Sequence, residues 1–265
     1  GNFFDESTGH SNGKNIPYLS RPIKDLSKAH KMKEELMKTF IKNSKNKLYK
    51  ERSKRIRPLK DDKILTDWNG LMIASLAYGG LILKDESLIE SAKKASNFID
   101  KKLTDKKGKL LKRYRLGTSG LAPHIDDYAF TIWGNLNLYD ATFEVKYLNL
   151  AVKLAQIMIT DFSDKNGGFF IGTKNSEKLM IRSKDSYDGA IPSGNSVAVN
   201  NLFRLSKMTG NQDYKKHAVN TLKYFSDMSK QSLTGFSHMT TGFMFDHKDP
   251  IELVIVGDGK KTDIR

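Results

Sequence analysis

The sequence predicts an all-α fold of concentric helical hairpins, in which inner helices pack together and outer helices expose one face to water. Three observations predict it. A unit of apolar helix, short turn, amphipathic helix and long loop recurs roughly every 60 residues. The two helices of each unit differ in how much of their circumference is polar. Glycine marks the stretch after each amphipathic helix, where we expect short β-hairpins.

The amphipathic helices are predicted at residues 87–103, 146–162 and 213–230, whose first residues are 59 and 67 positions apart. Apolar side chains recur there at helical spacing, on one side of each helix. This pattern is typical of outer helices. Residues 23–56 are predicted to supply one more outer helix.

Apolar helices are predicted just before the amphipathic ones, at residues 70–83, 128–143 and 196–208. The first two are apolar nearly all round, which is typical of buried helices. Residues 236–245 are expected to begin a further inner helix. Residues 251–257 form a short β-type run near the end of the sequence.

Composition excludes several classes of protein. The chain has 265 residues and no cysteine, so it holds no disulfide scaffold, catalytic thiol or cysteine zinc site. No apolar run reaches the ~20 residues of a membrane span, and no signal-peptide pattern opens the chain. We therefore expect a cytoplasmic protein without membrane contact. No nucleotide-binding or metal-ligand motif occurs, so no cofactor and no metal are predicted.

The net charge of +15 comes mainly from lysine and is densest in residues 42–63. A solvated helix face explains such a stretch most simply. Lysine also recognises polyanions less specifically than arginine does. Nucleic-acid binding therefore ranks low, and polyanion binding through residues 42–63 is kept as the third functional hypothesis.

The unusual polar residues lie in the long loops before the inner helices, at residues 61–70, 124–128 and 182–196. All three loops occupy the same phase of the repeat. In a ring of helical hairpins they would converge at one mouth. Carboxylates beside tryptophan, tyrosine and asparagine are typical of a sugar site, where aromatic faces stack and paired carboxyls share acid and base work.

Structural roles compete with each of these assignments. Asp67, Asp126, Asp127 and Ser193 stand just before predicted helices and are suited to N-capping. Trp133 fits a core position. In the loop at residues 124–128, His124 is a lone histidine with no partner at metal-ligand spacing.

Three segments, residues 61–77, 126–143 and 167–205, resemble the bacterial YyaL-like proteins and the spermatogenesis-associated thioredoxin-like proteins of animals. The resemblance implies a thioredoxin-like domain followed by an (α/α)6 toroid similar to six-hairpin glycosidases and N-acylglucosamine 2-epimerases, with no assigned activity. This chain contains no thioredoxin-like segment, so no redox activity is carried over. We expect residues 1–265 to form one partial toroid of about four hairpins.

The resemblance and the loop positions together select the candidate site residues. The catalytic candidates are Asp62, Asp127 and Asp188. The candidates for substrate binding are the neighbouring polar and aromatic residues Asp61, Trp68, Asn69, Tyr128, Arg182, Lys184, Tyr187, Ser193 and Asn195.

The leading hypothesis is a carbohydrate-active or carbohydrate-binding toroid that takes a sugar or polyol at the mouth. Whether the chain is an enzyme stays open at this stage. If it is, the resemblance implies glycoside hydrolase-like or epimerase-like chemistry, and epimerisation is disfavoured because His124 is the one histidine in a mouth loop. The second hypothesis is a non-catalytic interaction domain that serves a thioredoxin-like module in the full-length protein.

Overall fold

The computed structural model describes residues 2–11, 13–174 and 181–247. The chain divides into two compact units, Gly1–Asp61 and Asp62–Arg265. The predicted β-type run at residues 251–257 lies outside the described residues. Within the described ranges, no helix has both the length and the apolar character needed to cross a membrane.

The first unit contains a two-stranded antiparallel ribbon, β1 (Phe4–Asp5) with β2 (His10–Ser11), and the helices α1 (Ile23–Ala29) and α2 (Glu34–Ser53). The single helix predicted over residues 23–56 is therefore wrong. The chain leaves the helix after residue 29, and Lys31 adopts a left-handed conformation with φ of 50°. A residue in that conformation ends a right-handed helix.

The second unit consists of helical hairpins, as the fold-class prediction required, and that prediction is confirmed. Its helices are α3 (Thr66–Leu83), α4 (Glu86–Lys102), α5 (Ile125–Thr142), α6 (Val145–Phe162), α7 (Gly194–Thr209), α8 (Gln212–Gln231) and, after a 3-10 turn at Leu233–Phe236, α9 (Ser237–His247).

The three complete hairpins turn in the same way. The residue after each inner helix, Lys84, Phe143 or Gly210, has a positive φ of 54°, 54° or 73°. In each case the backbone N–H of that residue donates to the carbonyl four residues earlier. A left-handed residue with this bond satisfies an orphan carbonyl and reverses the chain within two residues. The repeat in the sequence thus corresponds to a repeat in backbone geometry.

Inner helix α5 packs against both α3 and α7, and its side chains are buried on most of its circumference. Helices α4, α6 and α8 bury one face only. This arrangement matches the inner and outer roles predicted for them.

Helix α3 differs from the prediction of an all-round buried helix. It buries the face that contains Gly70, Ile73 and Ala77, whereas Met72 and Tyr78 are exposed. Among the described inner helices, α3 packs against one neighbour, α5, while α5 has two. Its opposite apolar face is therefore uncovered in this structure.

Of the three glycine-marked stretches, the one after α4 forms short strands and the one after α6 forms an isolated bridge. The predicted hairpin strand at Gly235 and Phe236 is wrong, because these residues belong to the 3-10 turn Leu233–Phe236. Strands β3 (Ile64–Leu65), β4 (Arg113–Arg115) and β5 (Thr118–Gly120) form an antiparallel sheet in the order β3-β4-β5. Ser163 and Phe169 form an isolated bridge across the glycine-rich turn after α6. The sheet fixes the loop before α3 against the loop before α5.

Candidate functional site

The N-terminal ends of the inner helices meet at one end of the second unit. The backbone N–H of Asp67, in the first turn of α3, donates to Asp127 Oδ1 of α5 over 3.0 Å. Gly194, the first residue of α7, touches Asp126 of α5. The structure thereby brings together the polar loops that the sequence placed in one phase of the repeat.

Five residues form what we call the mouth cluster: Asp67, Lys112, His124, Asp126 and Asp127. Lys112 Nζ lies 2.6 Å from Asp67 Oδ2 and 3.4 Å from Asp127 Oδ1. Lys112 immediately precedes β4, so the loop sheet positions its ammonium between the first turns of α3 and α5. One cation is therefore shared among neighbouring carboxyl groups.

Asp127 is the most buried carboxyl group of the mouth cluster. Its side chain is fully buried, and its oxygens accept from the backbone N–H groups of Asp67 and, over 2.7 Å, His124. Burial raises the pKa of Asp127 to about 7, against the opposing effects of the Lys112 ammonium and the His124 N–H. With both oxygens occupied by backbone donors, this side chain ties the ends of α3 and α5 together.

Asp126 is the carboxyl group of the cluster that remains in contact with solvent. Burial raises its pKa, Lys112 lowers it, and the carboxylates of Asp67 and Asp185 raise it. Its oxygen sits against Gly194, whose N–H donates to it, and any side chain at position 194 would collide with that oxygen. The absence of a side chain at Gly194 therefore leaves the space that the Asp126 carboxyl group occupies.

The cluster has the electrostatics of an acid-base site. Burial raises the pKa values of Asp126 and Asp127, so these two carboxyl groups retain a proton more readily than isolated aspartates do. The pKa of His124 is lowered by its burial and by Lys112. Its ring therefore adds a neutral hydrogen-bonding group beside the carboxyls. Raised carboxyl pKa values beside other charged groups are typical of catalytic sites.

Asp188, a predicted catalytic residue, holds the start of α9. Its side chain is buried, Oδ1 accepts from the backbone N–H of Ser193, and Oδ2 accepts from those of His238 and Met239 at 2.8 and 3.0 Å. These contacts occupy the carboxylate with backbone donors, as an N-cap does.

Replacing Asp188 with alanine is expected to cost about 2 kcal/mol of stability, because three backbone donors lose their acceptor. Hydrogen exchange should increase first at the N-terminus of α9. Asp213, an exposed residue of the first turn of α8, supplies the matched control as D213A. Equal stability losses in the two variants would contradict the positioning role.

Tyr128, Ser193 and Asn195 are buried anchors. The hydroxyl of Tyr128 accepts from Leu110 N–H over 3.0 Å, and burial raises its pKa. Ser193 caps α7 by accepting from the N–H of Ser196. The side chain of Asn195 pairs with both backbone polar groups of Phe169 at 2.8 and 2.9 Å.

Arg182 and Lys184 brace the loop before α7. Arg182 lies over the Phe170 ring, 3.9 Å from its centroid, and donates to Gly172 O over 2.8 Å. Lys184 Nζ pairs with Asp164 at 2.7 Å and lies 3.5 Å from the centroid of the Tyr224 ring. Both cations thus have partners within the protein.

The remaining polar candidates are Asp62, Asn69 and Asp61. Asp62 accepts from Arg115 Nε over 2.7 Å, and both side chains are solvent-accessible. Asn69 donates to Leu65 O over 2.8 Å within its own helix start. Asp61 belongs to the first unit. The structure describes these positions, and their binding roles stay predictions.

Trp68 and Tyr187 are the exposed aromatic candidates, at 62% and 64% accessibility. Trp68 is two residues from Gly70, which faces α5, so it points about 160° away from that contact. The Tyr187 ring lies against Gly235, where an added Cβ would be 3.0 Å from Cε2. Tyr187 is therefore held beside the loop that starts α9.

Four of the five members of the mouth cluster, Asp67, Lys112, His124 and Asp126, were not selected as site residues from the sequence. Lys112 sits in an ordinary basic stretch, and no local signal distinguishes it from its neighbours. Asp126 was identified there only as a potential cap, although its position beside Asp127 shows that two adjacent carboxyls begin one helix. Within the described residues, no group of histidine, aspartate and glutamate side chains could hold a metal ion.

Comparison with curated proteins identifies relatives along nearly the whole chain. Human spermatogenesis-associated protein 20 is 29% identical over 268 residues, which cover 97% of this chain and 34% of that protein. An uncharacterized protein of Caenorhabditis elegans is 30% identical over 270 residues, covering 98% of this chain and 37% of that protein. This chain thus spans about a third of their length. No family model matches the sequence.

Solved structures with the same fold are carbohydrate-active toroids. A family 76 alpha-mannanase of Bacteroides thetaiotaomicron has 16% identity and a TM-score of 0.57, with 72% of this chain and 55% of that chain covered. A cellobiose 2-epimerase of Bacillus thermoamylovorans has 16% identity and a TM-score of 0.53, with 64% and 46% covered.

A third similar structure is an inactive alpha-1,6-mannanase variant of Salegentibacter sp., in which two consecutive aspartates are replaced by asparagine. It was solved with alpha-1,6-mannotriose. It has 13% identity and a TM-score of 0.50, and the match covers 61% of this chain and 46% of that chain. At these identities the three structures establish the fold, and the curated relatives establish the ancestry. The chain is therefore homologous to spermatogenesis-associated protein 20 over about a third of that protein and folds into (α/α)-toroid hairpins.

Proposed function

We propose that the chain carries the active site of a glycoside hydrolase, with Asp126 as its general acid. The observation that carries this proposal is that the adjacent residues Asp126 and Asp127 have different environments. Asp127 is buried and bound by backbone donors, whereas Asp126 reaches solvent with a raised pKa. A carboxyl group with a raised pKa, beside a second carboxyl in a different environment, is the arrangement that general-acid cleavage of a glycosidic bond uses.

The fold supports a sugar as substrate. The solved structures that share the fold include mannanases and a cellobiose epimerase. The mannanase variant that lost two consecutive aspartates is inactive, and this chain has two consecutive aspartates at the mouth of its ring. We therefore take an alpha-1,6-linked mannose oligosaccharide as the first substrate to test.

In the proposed reaction, Asp126 donates its proton to the glycosidic oxygen as the bond from the anomeric carbon to that oxygen breaks. Asp185 is an exposed carboxylate whose charge acts on Asp126, and it is the proposed base. It takes a proton from the water whose oxygen bonds to the anomeric carbon. We assign positioning roles to Asp127 and Asp188, while the catalytic role of Asp62 stays a prediction.

Hydrolysis is favoured over epimerisation because the mouth cluster is rich in carboxyl groups. His124 is its one imidazole, and Asp67, Asp126 and Asp127 are its acids. Among the residues that the structure describes, no contact favours the interaction-domain hypothesis or polyanion binding by residues 42–63, and both stay predictions.

Replacing Asp126 with asparagine is expected to lower kcat on alpha-1,6-mannan at least ~100-fold, because asparagine cannot donate the proton. Binding of alpha-1,6-mannotriose should persist, since the amide retains the shape and polarity of the group. Reducing-sugar release and calorimetry measure the two quantities.

Asp100, an exposed residue of outer helix α4, provides the matched control as D100N. Its activity should equal that of the unmodified protein. Turnover that D126N leaves intact, or the absence of any turnover across mannan, glucan and their oligosaccharides, would refute the proposed function.

A further inference from the structure

One side of α5 faces the outer layer of helices. The Tyr128 ring lies 5.3 Å from the Phe162 ring of α6, measured between centroids. Seven residues on, Asn135 Oδ1 accepts from Ser96 of α4 over 2.9 Å. Residues seven apart lie on nearly the same line along a helix. Tyr128 and Asn135 therefore mark the direction away from the interior of the ring.

Asp126 and Trp133 lie on the opposite side of α5. At about 100° per residue, Trp133 is turned about 140° from Tyr128 and about 160° from Asn135. Asp126 precedes Trp133 by seven residues, so the two share one line and are about 10 Å apart along the helix axis. Apart from these two, the residues from 125 to 138 on α5 are buried. The interior stripe of this helix thus leads from the mouth to Trp133.

Trp133 meets His238 across the ring interior. The two ring centroids are 5.1 Å apart with an interplanar angle of 39°. His238 belongs to α9, and α7 packs against both α5 and α9. The contact between Trp133 and His238 therefore joins two inner helices that are separated by α7. Both side chains are half-buried, which leaves part of this aromatic wall accessible to a ligand.

His238 is fixed in place by its backbone. Its N–H donates to Asp188, and its carbonyl accepts from Asn200 Nδ2 of α7 over 3.0 Å. Burial lowers the pKa of the His238 ring, so it is neutral at pH 7. The positioning role of Asp188 therefore extends to the wall that His238 forms with Trp133.

Polar groups lie below this wall on the same stripe. Arg204 of α7 donates to Asn137 Oδ1 over 2.9 Å and pairs with Asp140 Oδ2 at 2.6 Å. Asn137 and Asp140 follow Trp133 by four and seven residues, and Asp140 keeps a partly exposed carboxylate. Because Arg204 is paired, it offers no uncompensated positive charge. The group formed by Asn137, Asp140 and Arg204 is therefore suited to binding hydroxyl groups rather than an anion.

We propose that Trp133 and His238 form a sugar-binding subsite inside the ring, about two helical turns below Asp126. Its ligand is a neutral pyranose whose apolar face packs on the aromatic wall and whose hydroxyls reach Asp140 and Arg204. A mostly aromatic surface with few convergent polar groups is typical of small-molecule sites. This inference rests on the proposed function, since it extends the substrate chain inward from the same mouth.

The test uses the fact that Trp68 and Trp133 are the two tryptophans of the chain. In a W68F background, Trp133 is the sole indole reporter. Titration with alpha-1,6-mannotriose should change its emission with the same Kd that calorimetry gives for that variant. In the same background D126N should retain the emission change, because the subsite does not need the proton donor.

Affinity provides the second readout. W133A should weaken mannotriose binding roughly tenfold, the loss expected when one aromatic stacking surface is removed. Phe98, half-buried on α4, is the matched control for lost packing, and F98A should leave Kd within twofold. Circular dichroism verifies that W133A and F98A are folded. The emission experiment keeps Trp133 itself, so its result does not depend on how W133A folds.

The outcomes separate the subsite from the proposed function. Calorimetric binding without any emission change of Trp133 in W68F would overturn the subsite and leave the function standing. Binding with the emission change but without turnover would overturn hydrolysis and support the subsite. An absence of mannotriose binding would overturn both.

Discussion

Replacing Gly70 with alanine is expected to destabilise the second unit by about 3 kcal/mol. A Cβ at this position of α3 would lie 2.6 Å from the carbonyl carbon of Phe130 and 2.7 Å from the backbone N of Thr131, both in α5. Backbone atoms cannot rotate out of the way as side chains do. The two helices would therefore have to separate along their whole contact, which also involves Gly134 against Gly70 O.

Gly79 offers a control in the same helix. Its added Cβ would meet Leu88 Cδ1 at 3.8 Å, an ordinary contact. Because alanine is the better helix former, G79A should stabilise the protein by about 0.5–1 kcal/mol. Urea unfolding followed by circular dichroism measures both variants. A stability of G70A within 0.5 kcal/mol of the unmodified protein would show that the helices can move apart at little cost.

Replacing Lys112 with methionine is expected to cost about 3–5 kcal/mol at pH 8, because it removes the cation from a buried ionic cluster. The side chains of Lys112, Asp67 and Asp127 are 18%, 10% and 0% exposed. Methionine approximates the volume of lysine, so the loss reports the charge rather than a cavity. Thermal and urea unfolding at several pH values measure it.

The cost of K112M should shrink as the pH falls. The pKa of Asp127 is about 7 in the folded protein and close to 3.9 in an unfolded chain. A carboxyl whose pKa is raised by folding stabilises the fold below about pH 3.9, and that contribution is lost as the pH rises through 7. Without Lys112 the folded pKa rises further, so the penalty is largest above pH 7 and smaller near pH 5.

Lys230 is the control for this experiment. It pairs with Asp227 on the surface of α8, where the two side chains are 74% and 89% exposed. K230M should change stability by less than about 0.5 kcal/mol at any pH. A pH-independent loss in K112M would instead indicate that packing of the lysine stem, and not its charge, stabilises the mouth.

The site was only partly predictable from the sequence. The repeat phase located the loops before α3, α5 and α7, which the structure brings to one end of the unit. It could not rank the carboxyls within them. Asp126 and Asp127 are neighbours in sequence, yet helical geometry turns one toward solvent and buries the other beneath Lys112.

Trp133 illustrates the same limit. Its sequence context favours a core residue, and much of its surface is indeed packed against the core. What the sequence does not contain is the angular relation between Trp133, the outer-facing Tyr128 and the distant His238. That relation depends on which side of α5 the outer helices occupy.

The sequence by itself determined the hairpin repeat, the inner and outer helices and the loops that carry polar residues, because periodicity and glycine positions are local properties of the chain. The tertiary structure alone decided which carboxyl stays partly exposed, which cation lies beside the carboxyl groups and which aromatic residues face the ring interior. Lys112 lies 45 residues from Asp67 in sequence, and Trp133 lies 105 residues from His238. Charge compensation, burial and pKa depend on such distant neighbours, which become adjacent only when the helices pack.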